Sequence, residues 1–241
     1  MSTTLGESEK AVKPVKVKDE VEVVYSQEHW RLLCELRSRA RQLLTALPEA
    51  LLVGSVARGD VHGGSDVDIA LLEPSPPSIV EERLAGKGIN VVVRELVQAT
   101  PLSTPRLYIH LEGNSKVSVP LAPLARLEEE FYRFAGSIGL AQLEKGERVA
   151  GVNKRLLAVI PTPRGHIEFS IIGREEEVAR MLGVSVDVVK DRVSALTRRD
   201  ERGRTGLYLR LEIPAWESPE EAIARVAKRV PALRNKLEGW L

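Results

Sequence analysis

The sequence predicts an α/β (α+β) protein, with a mixed sheet and flanking helices followed by a smaller unit built around two short helices. Three observations carry this. Apolar residues recur at three- and four-residue spacing from Ser26 to Leu47, the stripe of an amphipathic helix. Short apolar runs bounded by Gly, Pro, Asn and Asp then alternate with helical stretches as far as residue 135. Beyond Gly136, Gly139, Gly146 and Gly151 the pattern starts afresh with two strands and two helices. With 241 residues, 43% of them hydrophobic, the chain supports one large or two small domains with real cores.

Residues 1–20 are charged and aperiodic and read as a flexible lead-in. The first unit spans 21–135. Its helix over 26–47 stops at Pro48, and strands are expected over 50–53 and 66–72. A helix over 78–85 leads to strands over 89–93, 107–111 and 116–119, the last two joined through Gly113-Asn114, and a helix over 123–135 closes the unit. Residues 136–154 read as a linker. The second unit, 155–241, is expected to hold strands over 155–160 and 167–172, helices over 174–182 and 186–196, a strand over 206–213 and a last helix over 219–237.

Composition excludes several classes of protein. The single cysteine, Cys34, leaves no internal disulfide framework and no Cys-only metal site. No apolar run approaches the roughly 20 residues of a bilayer-spanning helix, and the first residues lack the hydrophobic core of a signal peptide. A cytoplasmic protein with no membrane partner is the expectation. Its 35 basic and 34 acidic residues nearly cancel, so any charged partner must be sought in local asymmetry.

The most informative stretch is Leu52 to Leu72. One strand ends at Gly54-Ser55; after an Ala57-Arg58-Gly59 turn, a second strand begins with Ser65-Asp66 and Asp68. Asp66 and Asp68 lie two apart and project from one face of the strand. Paired carboxylates repel unless a cation sits with them, which points to a divalent metal. Gly54 lets the backbone approach phosphate oxygens without a Cβ, and Ser55 adds a hydroxyl. Within the turn, Arg58 either meets a phosphate or pairs with Asp60, and His62 reads as an ordinary solvated histidine.

At these residues, Gly54-Ser55-x-Ala57-Arg58-Gly59 followed by Ser65-Asp66-x-Asp68, the chain resembles the nucleotidyltransferase superfamily that includes DNA polymerase beta, and within it the small prokaryotic, especially archaeal, members. The resemblance covers about residues 26–120. It implies a polymerase-beta-like mixed sheet and two Mg2+ ions held by Asp66, Asp68 and a third carboxylate. It also implies an NTP gripped at Gly54, Ser55, Arg58 and Ser65, whose nucleotidyl group passes to an acceptor hydroxyl with release of pyrophosphate. The third acid departs from the family pattern, because the matching place in the next strand holds Asn90, an amide that cannot act as a base. Glu112, at the end of the strand over 107–111, is the chosen substitute, with Glu95 as another candidate.

In the second unit, Ala179, Gly183 and Val189 fall where a helix-turn-helix needs a small residue, a turn glycine and an apolar residue. Ser185 is placed to cap the second helix. The strand over 206–213 then reads as the wing of a winged helix. From Lys190 to Arg210 there are seven basic and three acidic residues. Lys190, Arg198, Arg199, Arg202 and Arg204 are the candidates for nucleic-acid contact. The leading expectation is a Mg-dependent nucleotidyltransferase acting on an unidentified acceptor. The alternative is a DNA-binding regulator whose nucleotidyltransferase unit only senses a nucleotide.

Overall fold

A computed structural model describes residues 13–202 and 206–238. The chain opens with β1 (Val21–Val24) and α1 (Gln27–Ala46), then β2 (Leu51–Val53), the single-turn α2 (Ser55–Arg58), β3 (Val67–Ala70) and α3 (Pro77–Ala85). Next come β4 (Val91–Gln98), β5 (Arg106–Leu111), β6 (Ser115–Pro120) and α4 (Arg126–Ala135). β7 (Ser137–Ile138), α5 (Leu140–Glu144) and β8 (Gly151–Val152) lead to β9 (Leu157–Thr162) and β10 (Gly165–Ser170). The rest is α6 (Glu175–Leu182), α7 (Val186–Arg202), β11 (Leu209–Ile213), α8 (Pro219–Ala227) and α9 (Pro231–Leu237).

Seven strands form one mixed sheet in the order β11-β4-β5-β6-β3-β2-β7, in which only β3 and β6 run parallel. Alternation sorts its two faces. Leu52, Ile69, Val117, Ile109, Leu107 and Leu96 point into the main core, which α1 seals with Leu43, Leu44 and Leu47. Each such side chain contributes about 1.5–3 kcal/mol by leaving water. The opposite face of β3, β6 and β5 carries Asp68, Lys116, Ser118, Tyr108 and His110. Ser26 caps α1 by accepting from the His29 N–H at 3.2 Å, which places the helix start where the periodicity predicted it.

A second sheet, β1-β10-β9-β8, has its own core around Phe169, Ile171, Leu156, Val178 and Val189. The expected boundaries at 135 and 155 do not describe how the chain packs. β1, assigned to the first unit, pairs with β10. The stretch 136–154 is threaded into both sheets, with β7 on β2 and β8 on β9. Gly151 is required there, because a Cβ would lie 2.6 Å from the Gly136 nitrogen. The flexible lead-in falls partly outside the described residues; within them, Val15 N–H donates to the Arg155 carbonyl at 2.9 Å and Lys18 pairs with Glu168.

The expected wing is also corrected. β11 leaves the second unit and adds antiparallel to β4, and Ile213, Ile223, Val226 and Leu233 join the main core. Hydrophobic burial decides this: the strand's apolar face and the helices behind it complete the sheet edge rather than a hairpin beside α7. β4 runs to Gln98, five residues past the predicted end, because its charges are neutralised by neighbours. Arg94 makes a bidentate pair with Glu81 at 2.6 and 2.7 Å, and Glu95 pairs with Arg210 at 2.6 Å. The single last helix is instead two, since the second begins at Pro231, which fits the first turn of a helix but not its interior.

α4 lies between the two sheets, with Tyr132 toward the first and Phe134 in the second core. Glu128 fixes its start by accepting from Thr104 N–H at 3.0 Å, Thr104 Oγ1–H at 2.5 Å and Ala125 N–H at 3.1 Å. Burial raises the Glu128 pKa, but these donors and Arg106 outweigh it and hold the group below its ordinary 4.5. A depressed folded-state pKa stabilises above the unfolded value and ceases to do so as pH falls through the folded one. Glu128→Ala should therefore cost about 1–3 kcal/mol at pH 7. In urea melts run from pH 7 to pH 3, the gap from wild type should narrow below about pH 4.5.

Candidate functional site

β2 and β3 lie side by side, and the turn between them brings Gly54 and Ser55 to the same end of the sheet as Asp66 and Asp68. Gly54 sits at φ +86°, a conformation that favours glycine, and its N–H donates to the Gly136 carbonyl at 2.9 Å. Ser65 Oγ accepts from His62 N–H at 2.9 Å and from Ser55 Oγ–H at 3.4 Å. Ser65 therefore holds the turn and orients Ser55.

Asp68 is the register partner of Lys116 on parallel strand β6. The Lys116 ammonium stands between the two carboxylates, 2.9 Å from Asp66 Oδ2 and 2.8 Å from Asp68 Oδ1. Its approach to Asp68 is off the hydrogen-bond line, so that enclosed Oδ1 has no hydrogen-bond donor. About a third of each acid side chain (34%) is exposed, and Asp68 lines the cleft. Burial pushes the Asp68 carboxyl above the ordinary range, aided by the Asp66 charge and opposed by Lys116. For Asp66 burial also raises the pKa, but Lys116, its own backbone N–H and Lys154 bring it below the ordinary value. Burial works against the Lys116 charge, yet the two carboxylates outweigh it and keep the amine firmly protonated.

Two cavities meet at Val53, Asp68, Phe131 and Arg192. The larger, about 510 Å³, is bounded by Gly54, Ser55 and Asp68 on one side and by Lys154, Arg155, His166 and Glu168 on the other. The second, about 330 Å³, lies over the polar face of the sheet, with Arg106, Tyr108 and Lys116 below it and Leu127, Phe131 and Tyr132 of α4 above. Arg192 reaches both from α7. Its guanidinium stacks 4.6 Å over Phe131, its Nε is enclosed without a partner, and burial lowers its pKa.

The expected site residues divide accordingly. Gly54, Ser55, Asp66 and Asp68 come together, with Ser65 behind them. Arg58 lines the larger cavity, but its guanidinium is committed to protein partners. Only 4% exposed, it spends Nε and Nη2 on Asp60 at 2.9 and 3.0 Å and Nη1 on the Ala135 carbonyl at 2.5 Å. Its geometry decides between the two open readings in favour of the ion pair.

Glu112 does not join the acid pair. It lies exposed in the β5–β6 turn, where its carbonyl accepts from Arg39 at 3.0 Å. Asn90 precedes β4, which β5 and β6 separate from β3, and Glu95 is engaged by Arg210 and His110. Among the described residues, no three of His, Cys, Asp and Glu gather as a metal site. The paired carboxylates are a donor set that fits one cation, a charge that the Lys116 ammonium already supplies. The set does not fit the expected two ions, because among the described residues no third acid joins the pair and the adjacent strand contributes an ammonium instead.

α6 and α7 follow one another across a turn at Gly183, which is in the left-handed conformation, and Ser185 Oγ accepts from Val188 N–H at 3.4 Å. Of the nucleic-acid candidates, Lys190 is paired with Glu176 at 3.2 Å. Arg198 and Arg199 are exposed toward the end of α7, with Arg198 Nε donating to the Ser194 carbonyl at 3.3 Å. Arg202 is the last residue of α7, and Arg204 lies outside the described residues.

Sequence reasoning missed Lys116, Lys154, Arg155, Arg192 and Arg106. Lys116 had a usable signal, as a lone cation opening an alternating strand. The others come from distant elements, and no local pattern joins them to the acid pair.

A family model described as "Nucleotidyltransferase domain" matches residues 33–121, which include the glycine-serine turn and the acid pair. No curated protein matches the chain. Among solved structures, the chain is similar to one described under "Structural Plasticity of Cid1 Provides a Basis for its RNA Terminal Uridylyl Transferase Activity". The identity is 18% and the TM-score 0.27, over 52% of this chain and 36% of that chain, so the alignment spans about a third of the other protein. No helix among the described residues is long and apolar enough to cross a membrane.

Asp60→Ala should cost about 3–5 kcal/mol, because it strands the buried Arg58 charge. Adding Arg58→Met should recover part of that loss. Chemical denaturation of both single variants and the double variant reads the coupling.

Proposed function

We propose that the chain is a nucleotidyltransferase that binds an NTP in the joined cavities and passes its nucleotidyl group to an acceptor hydroxyl. One observation carries the reading: the Gly54-Ser55 turn and Asp68 of the acid pair line one cavity whose far side carries Lys154 and Arg155. Lys154, Arg155 and Arg192 neutralise the polyphosphate, and Ser55 orients it. The nucleoside enters the adjoining cavity against Tyr108, Phe131 and Tyr132. Asp66 and Asp68 would hold one magnesium ion, which when bound supplies positive charge at the reacting phosphate and lowers the pKa of an attacking hydroxyl.

The acceptor we favour is a nucleic-acid end. α7 runs from Asp191, Arg192 and Leu196 at the cavities to the exposed Arg198 and Arg199, a track along which a phosphate backbone reaches the acid pair. A second reading has a specific observation behind it. With Lys116 between the carboxylates and, among the described residues, no third acid joining them in a metal site, the unit binds a nucleotide as a signal and transfers nothing.

Purified protein with Mg2+ and each labelled NTP, with and without RNA and DNA oligonucleotides, separates the two. Metal-dependent label transfer that disappears in Asp66→Ala/Asp68→Ala supports the enzyme. Binding without consumption supports the sensor, and absence of NTP binding overturns both. Lys154→Ala/Arg155→Ala should weaken NTP binding about tenfold or more by calorimetry, since each charge-assisted contact contributes roughly 1.5–3 kcal/mol.

A further inference from the structure

We infer that Lys116 is a built-in counter-ion that holds the cation position of the acid pair, so that a divalent ion enters only by displacing it. The inference rests on the proposed nucleotide site but concerns metal entry alone.

Asp66 and Asp68 project from one face of β3, and the register of the parallel β3–β6 pair sets Lys116 directly beside Asp68 on that face. The ammonium contacts one oxygen of each carboxylate, at 2.9 and 2.8 Å. The ammonium thus takes up the space between the two carboxylates, and two cations within about 3 Å of the same oxygens repel strongly. Lys116 is also incompletely committed. Its contact with Asp68 lacks hydrogen-bond geometry, and 31% of its side chain remains open to the cleft. A flexible four-carbon stem with an open side can swing out, whereas an arginine held in a bidentate fork would not. Displacement needs a compensating anion for the released ammonium. The polyphosphate of a bound nucleotide supplies one, since Lys116 and Asp68 both line the cavity adjoining the one that Gly54 and Ser55 bound. Metal and nucleotide therefore enter together, and metal alone binds poorly.

Mn2+ binding to the full chain, read by loss of the free-ion electron paramagnetic resonance signal, tests this without any assay of activity. Wild type without nucleotide should bind Mn2+ weakly. Lys116→Gln should bind at least tenfold more tightly, and Lys116→Glu more tightly still, because it places a third carboxylate beside the pair. Asp66→Asn/Asp68→Asn in the Lys116→Gln background should abolish the gain. If removal of the charge impairs folding, Mn2+ should raise the melting temperature of Lys116→Gln while leaving that of wild type unchanged. Equal Mn2+ affinity, or equal thermal response, in wild type and Lys116→Gln overturns the inference. NTP binding measured separately on wild type keeps the two claims apart: its absence defeats the proposed function, whereas the Mn2+ comparison stands by itself.

Discussion

Two carboxylates two residues apart on one strand face cannot both ionise in a half-enclosed cleft without a cation beside them. In this protein the requirement is met by the chain itself. The parallel pairing of β3 with β6 sets Lys116 between Asp66 and Asp68, and the electrostatics of the site follow from that contact. Asp66 is held below the ordinary carboxylate range, burial pushes Asp68 above it against the pull of Lys116, and the two carboxylates keep the amine between them protonated.

The architecture keeps this cluster at a junction. α4 separates the two sheets and lends Phe131 and Tyr132 to the cavity above the polar sheet face. The connecting stretch after α4 is held down from both sides. Arg37 Nη2 donates to the Glu147 carbonyl, while Arg148 stacks 4.9 Å over Trp30 and donates to the Gly165 carbonyl at 2.9 Å. β11, α8 and α9 then return to the first sheet. A chain that crosses between its units this often seats the basic residues at the start of the second unit, Lys154 at the end of the connecting stretch and Arg155 after it, opposite the Gly54-Ser55 turn of the first. The cleft and the packing of the units thus share the same surfaces.

Much of the first unit was legible because its signals are local. The stripe from Trp30 to Leu47 and the apolar-glycine-serine and Asp-x-Asp patterns lie within a turn or a strand of one another, where periodicity and backbone geometry act directly. Charged residues inside strands hid the length of β4, since Arg94 and Glu95 look like a strand end until Glu81 and Arg210 are placed beside them. The wing failed for a related reason. A strand of alternating character completes any sheet edge that needs it, and its periodicity does not name the partner.

What the sequence determined by itself was the set of chemical groups and their local placement: Gly54 and Ser55 at a strand end, and Asp66 and Asp68 on one face of the next strand. The tertiary structure alone decided what surrounds them. It assigned Arg58 to Asp60, left Glu112 in an exposed turn, set Lys116 against the acid pair and brought Lys154, Arg155 and Arg192 across the cleft. The physical reason is range. Spacing within a strand or helix is set by backbone geometry over a few residues, whereas strand order and the neutralisation of charge in a cleft depend on contacts between elements far apart in the chain.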